Sequence, residues 1–130
     1  MKKNVVFQSF TLIGLITLFF FSFTTCKKEE NKTIPTVTIV SITGITSSSA
    51  KITTKVTDEG GSTVTGTGAC WGKSSNPDLS NNVSNVGGGL GEFISILTNL
   101  DSNTTYYVRA FATNELGTAY SNSMTFTTLP

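Results

Sequence analysis

The chain has 130 residues, room for one small domain, and its formal net charge of +1 conceals an uneven distribution. Five of its nine basic residues precede Thr33, and from residue 34 onward four basic residues stand against six acidic ones, which excludes the basic patch needed to bind nucleic acid. The chain has no histidine, so it lacks the commonest general base, the commonest metal ligand and every nucleophile pair built on histidine.

The N-terminal stretch has the order of segments found in an export signal. Two lysines precede an apolar stretch over residues 5–23, which is followed by the small residues Thr24 and Thr25. Cys26 and a hydrophilic run of two lysines and two glutamates come directly afterwards. About 20 apolar residues can also span a bilayer, so an uncleaved membrane anchor is the alternative.

This arrangement resembles the signal of bacterial lipoproteins, in which the cysteine becomes the first residue of the mature chain and is acylated on its sulfur. The resemblance implies a signal peptide over residues 1–25, lipidation at Cys26 and a charged tether over residues 26–34. Several acyl chains on one cysteine hold a protein stably in a membrane, because each buried methylene contributes about 0.8 kcal/mol.

The residues behind the cysteine also suggest a location. Lys28, Glu29 and Glu30 resemble the surface-export tag of some Gram-negative lipoproteins, a lysine followed by acidic residues. A solvated spacer is the alternative interpretation of this short charge run. We therefore expect a lipid-anchored protein of the outer membrane that is exposed at the cell surface.

From residue 33 onward the sequence consists of short β-forming runs separated by Gly, Asn, Asp and Ser. In one run Ala50, Ile52 and Val56 alternate with polar residues, the pattern of a half-buried strand. The runs lie at residues 36–41, 50–56, 65–72, 83–86, 92–98 and 104–114, with a last one after residue 117. No sustained 3.6-residue period is present, so the sequence predicts an all-β sandwich of about seven strands.

The run at residues 92–98 does not reveal which of its faces is buried. Phe93, Ser95 and Leu97 share one face. Ile94 and Ile96 lie on the other, a pattern that fits a strand partly covered on its second side.

A tyrosine motif precedes the longest run. Leu100, Thr104 and Tyr106 resemble the fibronectin type III pattern L-x-P-x-T-x-Y, with Ser102 in place of the proline. In that family the tyrosine forms a tyrosine corner, in which its hydroxyl bonds back to the backbone while its ring seals the core.

A narrower resemblance covers two further segments. Residues 68–72, with Asn76 and Pro77 downstream, and residues 106–110 are similar to fibronectin type III-like modules of bacterial surface lipoproteins. The resemblance spans residues 35–130 and implies a seven-stranded fibronectin type III or immunoglobulin-like β-sandwich.

Three features that could carry chemistry are better explained by structure. The glycine-rich residues 87–91 lack the strand-to-helix context of a phosphate-binding loop. The acidic residues Asp58, Glu59 and Asp78 match no calcium-ligand spacing and are expected in solvated turns. Cys70 has no cationic neighbour in sequence and is expected to be a buried thiol. We therefore expect no catalytic residue, no metal and no cofactor.

Outward aromatic side chains form the candidate binding face. Tyr107, Arg109 and Phe111 share the outer face of the longest run, where they could hold a ligand by stacking and apolar burial, or pack under a neighbouring part of the chain. Trp71 is expected to fill the core, and the alternative is an outward Trp71 that stacks on a ligand. The leading hypothesis is a non-catalytic module that binds protein or carbohydrate at the cell surface, through side chains of the longest run or through the loops around residues 76–82 and 87–91. The alternative is a structural spacer or assembly subunit of a larger outer-membrane complex.

Overall fold

The computed structural model describes residues 30–130, so the predicted signal peptide, Cys26, Lys28 and Glu29 lie outside the described residues. Glu30 is described and is exposed. Every regular element in residues 30–130 is a β-strand. Within that range no helix is long and apolar enough to cross a membrane.

Eight strands build the domain. Strands β1 to β8 span Thr36–Thr43, Ala50–Asp58, Gly66–Gly72, Asn82–Gly87, Gly91–Leu97, Thr105–Asn114, Gly117–Tyr120 and Met124–Thr127. They form two antiparallel sheets, one with the order β1-β2-β5 and one with the order β4-β3-β6-β7, in which β8 also pairs with β6. The prediction of an all-β sandwich is confirmed.

The count of eight arises because the seventh predicted strand is interrupted. β7 pairs with the second half of β6 and β8 pairs with its first half. Between them the Ser121 amide donates to the Ala110 carbonyl at 2.9 Å, and the Ser121 hydroxyl accepts a hydrogen bond from the Ala110 amide at 2.9 Å. The serine hydroxyl thus stands in for a backbone carbonyl at the break.

The core lies between the sheets, and period-two alternation places it there. On β2 the side chains of Ala50, Ile52 and Val56 are buried, while the intervening lysines are exposed. On β5 the buried face carries Leu97, whereas Ile96 on the other face is 55% exposed, which settles the face that the sequence left open. Full burial of a side chain such as Ile52 stabilises the fold by about 1.5–3 kcal/mol.

A tyrosine on β6 holds the loop between β5 and β6 at one end of the sandwich. The Tyr106 hydroxyl accepts a hydrogen bond from the backbone amide of Asp101 at 2.8 Å, and its ring stacks on Phe126 with centroids 5.8 Å apart. Leu100 is buried beside it, and the Thr104 hydroxyl donates to the Ser102 carbonyl at 2.8 Å. A tyrosine hydroxyl bonded back to the preceding loop is the contact that defines a tyrosine corner.

The two ends of the described chain leave the domain at opposite ends of the sandwich. At one end the Thr33 amide donates to the Gly60 carbonyl at 2.8 Å, and the Asn114 side chain donates to the Thr33 carbonyl at 2.8 Å. At the other end the Leu129 amide donates to the Thr46 carbonyl at 3.0 Å. Both terminal segments are therefore fixed to the sandwich.

Gly60 makes the first of these contacts possible. Its φ of +77° is a left-handed conformation that L side chains rarely adopt, and a Cβ there would lie 2.2 Å from the Thr33 carbonyl oxygen. An ion pair of 2.9 Å between Lys32 and Glu115 adds to the same end of the domain. The unit that contains these contacts accordingly runs from Asn31–Pro130.

Candidate functional site

The candidate binding face on β6 is covered in large part by the chain itself. Tyr107, Arg109 and Phe111 share the outer face, as expected, but Phe111 is only 3% exposed and the other two are half-buried. Residues 73–81, the loop between β3 and β4, fold over this face, where the Leu79 amide donates to the Tyr120 hydroxyl at 3.3 Å. Phe111 is therefore a packing residue, and its expected place in an exposed binding face is wrong.

Arg109 fastens this loop to the sheet. Its guanidinium carbon lies 4.5 Å from the centroid of the Tyr120 ring, within the range of a cation–π contact. Its Nε donates to the Ser121 carbonyl at 3.0 Å, and its Nη1 lies 3.5 Å from the Pro77 carbonyl oxygen. These contacts engage Arg109 with its own chain.

Cys70 lies beneath the same loop. Its thiol is buried and contacts the Pro77 carbonyl oxygen at 3.5 Å. Burial raises the pKa of the Cys70 thiol to about 11, because the loss of hydration outweighs the opposing positive charge of Arg109. The thiol is therefore neutral at physiological pH and is a packing group, not a nucleophile.

Glycines on the outer face of β3 let other segments of the same chain approach this strand closely. Gly66, Gly68, Cys70 and Gly72 alternate along that face, which leaves it almost without side chains. A Cβ on Gly68 would lie 1.8 Å from the Ser84 carbonyl oxygen of β4. The alternating glycines in the sequence were the signal that could have predicted a covered face here.

Exposed apolar side chains are concentrated in the segment of the chain that contains β4 and β5. Among residues 30–130, eleven large apolar side chains are exposed, and six of them lie within residues 79–96. Residues 79–97 contain a single charged residue, Glu92. We call the following residues the β4–β5 surface: Leu79, Val83, Val86, Leu90, Ile94 and Ile96.

This surface includes an edge strand and a groove. β4 pairs only with β3, so its second edge is unpaired. A groove of about 350 Å³ runs between the strands and the loop, with Leu79, Val83 and Phe111 in its lining. The sequence pointed to the loops that carry Leu79 and Leu90, and it did not predict the exposed face of β5, because that run has apolar residues on both faces.

No protein-family model and no curated protein sequence matches the chain. Solved structures resemble its fold. The sensor domain of the anti-sigma factor RsgI4 in Pseudobacteroides cellulosolvens has a TM-score of 0.52 and 21% identity, covering 75% of this chain and 96% of that one. The sixth fibronectin type III domain of human fibronectin type III domain containing protein 3 has a TM-score of 0.50 and 21% identity, covering 80% and 89%. The domain has a fibronectin type III-like fold.

A third similar structure contains domains A168–A170 of titin, with a TM-score of 0.51 and 19% identity. The match covers 78% of this chain and 33% of the titin chain, so the likeness extends to a part of that structure. At these identities the likeness establishes the fold and leaves the function open.

Three acidic residues of this fibronectin type III-like domain accept hydrogen bonds within turns. Asp58 accepts a hydrogen bond from the Gly60 amide at 2.8 Å, and Glu59 accepts one from the Val64 amide at 2.9 Å. Hydrogen bonds from Ser80 hold the pKa of Asp78 below its ordinary value. No group of three or more acidic, cysteine or histidine side chains in residues 30–130 could hold a metal ion.

Proposed function

We propose that the protein is a non-catalytic, lipid-anchored protein of the cell surface whose fibronectin type III-like domain binds a protein or glycan ligand. The observation that carries the proposal is the β4–β5 surface. Ile94 and Ile96 are neighbours on the outer face of β5, and clustered exposed apolar side chains commonly mark interaction sites. Here the patch adjoins an unpaired strand edge, which offers backbone hydrogen bonds as well.

The β4–β5 surface replaces the β6 face as the candidate binding surface. Phe111 is buried and Arg109 is engaged with Tyr120, so these two side chains have little left to offer a ligand. Leu90, Ile94 and Ile96, by contrast, are each at least half exposed. The RsgI4 domain with a similar fold is a sensor domain, which is a precedent for a recognition role of the fold.

The proposal of a lipid anchor is based on the sequence. The number of residues between Cys26 and the folded unit limits how far the domain can lie from the membrane. Asn31 begins the folded unit and stands five residues after Cys26. Five extended residues span at most about 17 Å, so an acylated Cys26 would hold the domain close to the membrane. The charged run with Lys28 and Glu29 would lie within that short link.

The absence of catalysis is proposed on chemical grounds. The sequence has no histidine, and the Cys70 thiol is protonated and covered. Asp58 and Glu59 are committed to turn hydrogen bonds. General acid–base or nucleophilic catalysis needs a base and a reacting group in mutual reach, and these residues provide no such pair.

Fractionation of cells that express Cys26→Ser tests the anchor. We expect the variant to leave the membrane fraction, because it cannot be acylated. Cys70→Ala is the matched control, since it replaces the other cysteine of the chain and should stay in the membrane. Retention of Cys26→Ser would support the uncleaved anchor, and protection of the parent protein from protease on intact cells would contradict the surface location.

Photo-crosslinking on intact cells tests the binding surface. A photoreactive amino acid that inserts into C–H bonds is placed at Ile94, which is 50% exposed, or at Val40, which is 49% exposed on the opposite edge of the same sheet. We expect adducts from Ile94 and none from Val40. Adducts from neither position would contradict the binding role and favour the spacer.

A further inference from the structure

A cleft lies between the end of β3, the start of β4 and the loop after β5. Its volume is about 320 Å³, which is within the lower range of small-molecule sites. Trp71, partly buried against the core, lines the cleft together with Leu100 and Tyr106. Asn82 and Asn99 contribute amide side chains. We call this site the Trp71 cleft.

The polar groups of the Trp71 cleft are neutral and available. The Asn99 and Thr98 side chains have no hydrogen-bond partner within residues 30–130. The Asn82 amide nitrogen donates to the Trp71 carbonyl at 3.3 Å, which leaves its oxygen free to accept. Amide and hydroxyl groups together provide both donors and acceptors at the rim.

No charged residue among residues 30–130 lines the cleft. The nearest ionic groups in sequence are Lys73, just after β3, and Asp101, just after Leu100, and they form an ion pair with each other. A charged ligand would lose hydration without gaining a countercharge, which disfavours it. A ligand that combines hydroxyl groups with a flat apolar face matches an indole wall and a rim of amides.

The loop that carries Asn99 is held in place before any ligand arrives. The Leu100 amide donates to the Ser48 carbonyl at 3.0 Å, and the Asp101 amide donates to Tyr106 at 2.8 Å. Asn99 itself has a φ of +59°, a left-handed conformation that glycine adopts more easily. Asparagine at this position keeps an amide at the rim, and a fixed loop reduces the entropy lost on binding.

We propose that the Trp71 cleft binds a neutral oligosaccharide, with one sugar ring stacked on Trp71 and its hydroxyls bonded to Asn82 and Asn99. The inference rests on the proposed role of the domain as a binding module and names one ligand class for it. The cleft lies at the end of the sandwich opposite the Thr33–Gly60 contact.

The fluorescence of Trp71 is a direct reporter, because the chain contains a single tryptophan. The full chain in detergent is titrated with three neutral trisaccharides of different linkage, namely cellotriose, maltotriose and triacetylchitotriose, and with trigalacturonic acid as the charged counterpart. Concentrations extend to tens of millimolar, above the dissociation constants of weak sites. We expect a saturable change in Trp71 emission with at least one neutral trisaccharide and none with the charged one.

Two variants localise the effect. Asn99→Gly keeps the left-handed backbone and removes the amide, so it should raise the Kd about tenfold, the effect of losing one or two hydrogen bonds. Asn76→Gly is the matched control, since Asn76 is exposed, has a φ of +54° and does not line the cleft. It should leave the Kd within about twofold. Asn82→Ala is a second cleft variant that leaves the backbone of the loop intact.

Two outcomes overturn the inference. One is an unchanged Trp71 emission with all three neutral trisaccharides, and the other is binding that Asn99→Gly and Asn82→Ala leave unaltered. The titration uses purified protein, so its failure can be separated from failure of the proposed function. A protein that is surface-exposed and crosslinks at Ile94 but binds no sugar would contradict this inference alone.

Discussion

Replacing Tyr106 by phenylalanine removes the one oxygen atom that holds the loop between β5 and β6 to the strand β6. The ring is buried and stacks on Phe126, and these contacts survive the change. The hydrogen bond from the Asp101 amide, 2.8 Å long, is lost. A hydrogen bond of this kind contributes about 0.5–1.5 kcal/mol, and a donor left buried without a partner costs about 1–3 kcal/mol. Because Asp101 is exposed and water can reach part of its loop, we expect a loss near 1 kcal/mol.

Urea unfolding of the full chain in detergent measures this loss. Tyr107→Phe is the matched control, since Tyr107 is the next residue, faces the opposite side of β6 and has no hydrogen-bond partner for its hydroxyl within residues 30–130. The control should change the free energy of unfolding by less than about 0.5 kcal/mol. For a domain of this size a loss of 1 kcal/mol lowers Tm by about 4–8 °C. Equal effects of the two substitutions would refute the assignment of a tyrosine corner.

Two further predictions concern the covered face of β3. Gly68→Ala should lower the free energy of unfolding by more than about 2 kcal/mol in the same assay, because its Cβ would lie 1.8 Å from the Ser84 carbonyl oxygen. Gly72→Ala is the control and should cost less, because the nearest atom to its Cβ is a side-chain atom at 3.7 Å. Similar losses for the two variants would contradict the close approach of β4 to Gly68. Burial raises the pKa of the Cys70 thiol from 9.0 to about 11, so the folded state keeps the thiol proton at higher pH than the unfolded state. The contribution of the buried thiol to stability is therefore present below pH 9 and declines as the pH rises towards 11. Parent and Cys70→Ala unfolding curves should therefore converge or cross over that range, and parallel pH profiles would contradict it.

The sequence predicted those elements in which local pattern and tertiary environment agree. The alternation of Ala50, Ile52 and Val56 with lysines specifies both a strand and its buried face, and β2 follows it. The motif of Leu100, Thr104 and Tyr106 likewise predicted a local contact, a tyrosine hydroxyl bonded to backbone a few residues upstream. Such features depend on a few residues that are close in sequence, so they can be predicted without knowledge of the fold.

The covered face could not be predicted in the same way. Whether Phe111 is exposed depends on residues 73–81, which lie 30 to 38 positions away in sequence and are held by contacts such as that between Leu79 and Tyr120. The apolar residues of β5 occur on both faces, so only the position of β2 and of the second sheet decides that Ile94 and Ile96 face outward. The β4–β5 surface therefore depends on contacts between residues that are distant in sequence.

The exit of the two chain ends at opposite ends of the sandwich has a mechanical consequence. A force between Thr33 and Leu129 acts along the strands, because β1 and β8 are the terminal strands and lie antiparallel to β2 and β6. The ladders that hold them are then loaded in shear, so several backbone hydrogen bonds carry the force together and do not open one after another. A C-terminal fusion would be held about 33 Å from the Thr33 end, the length of the ten residues of β6.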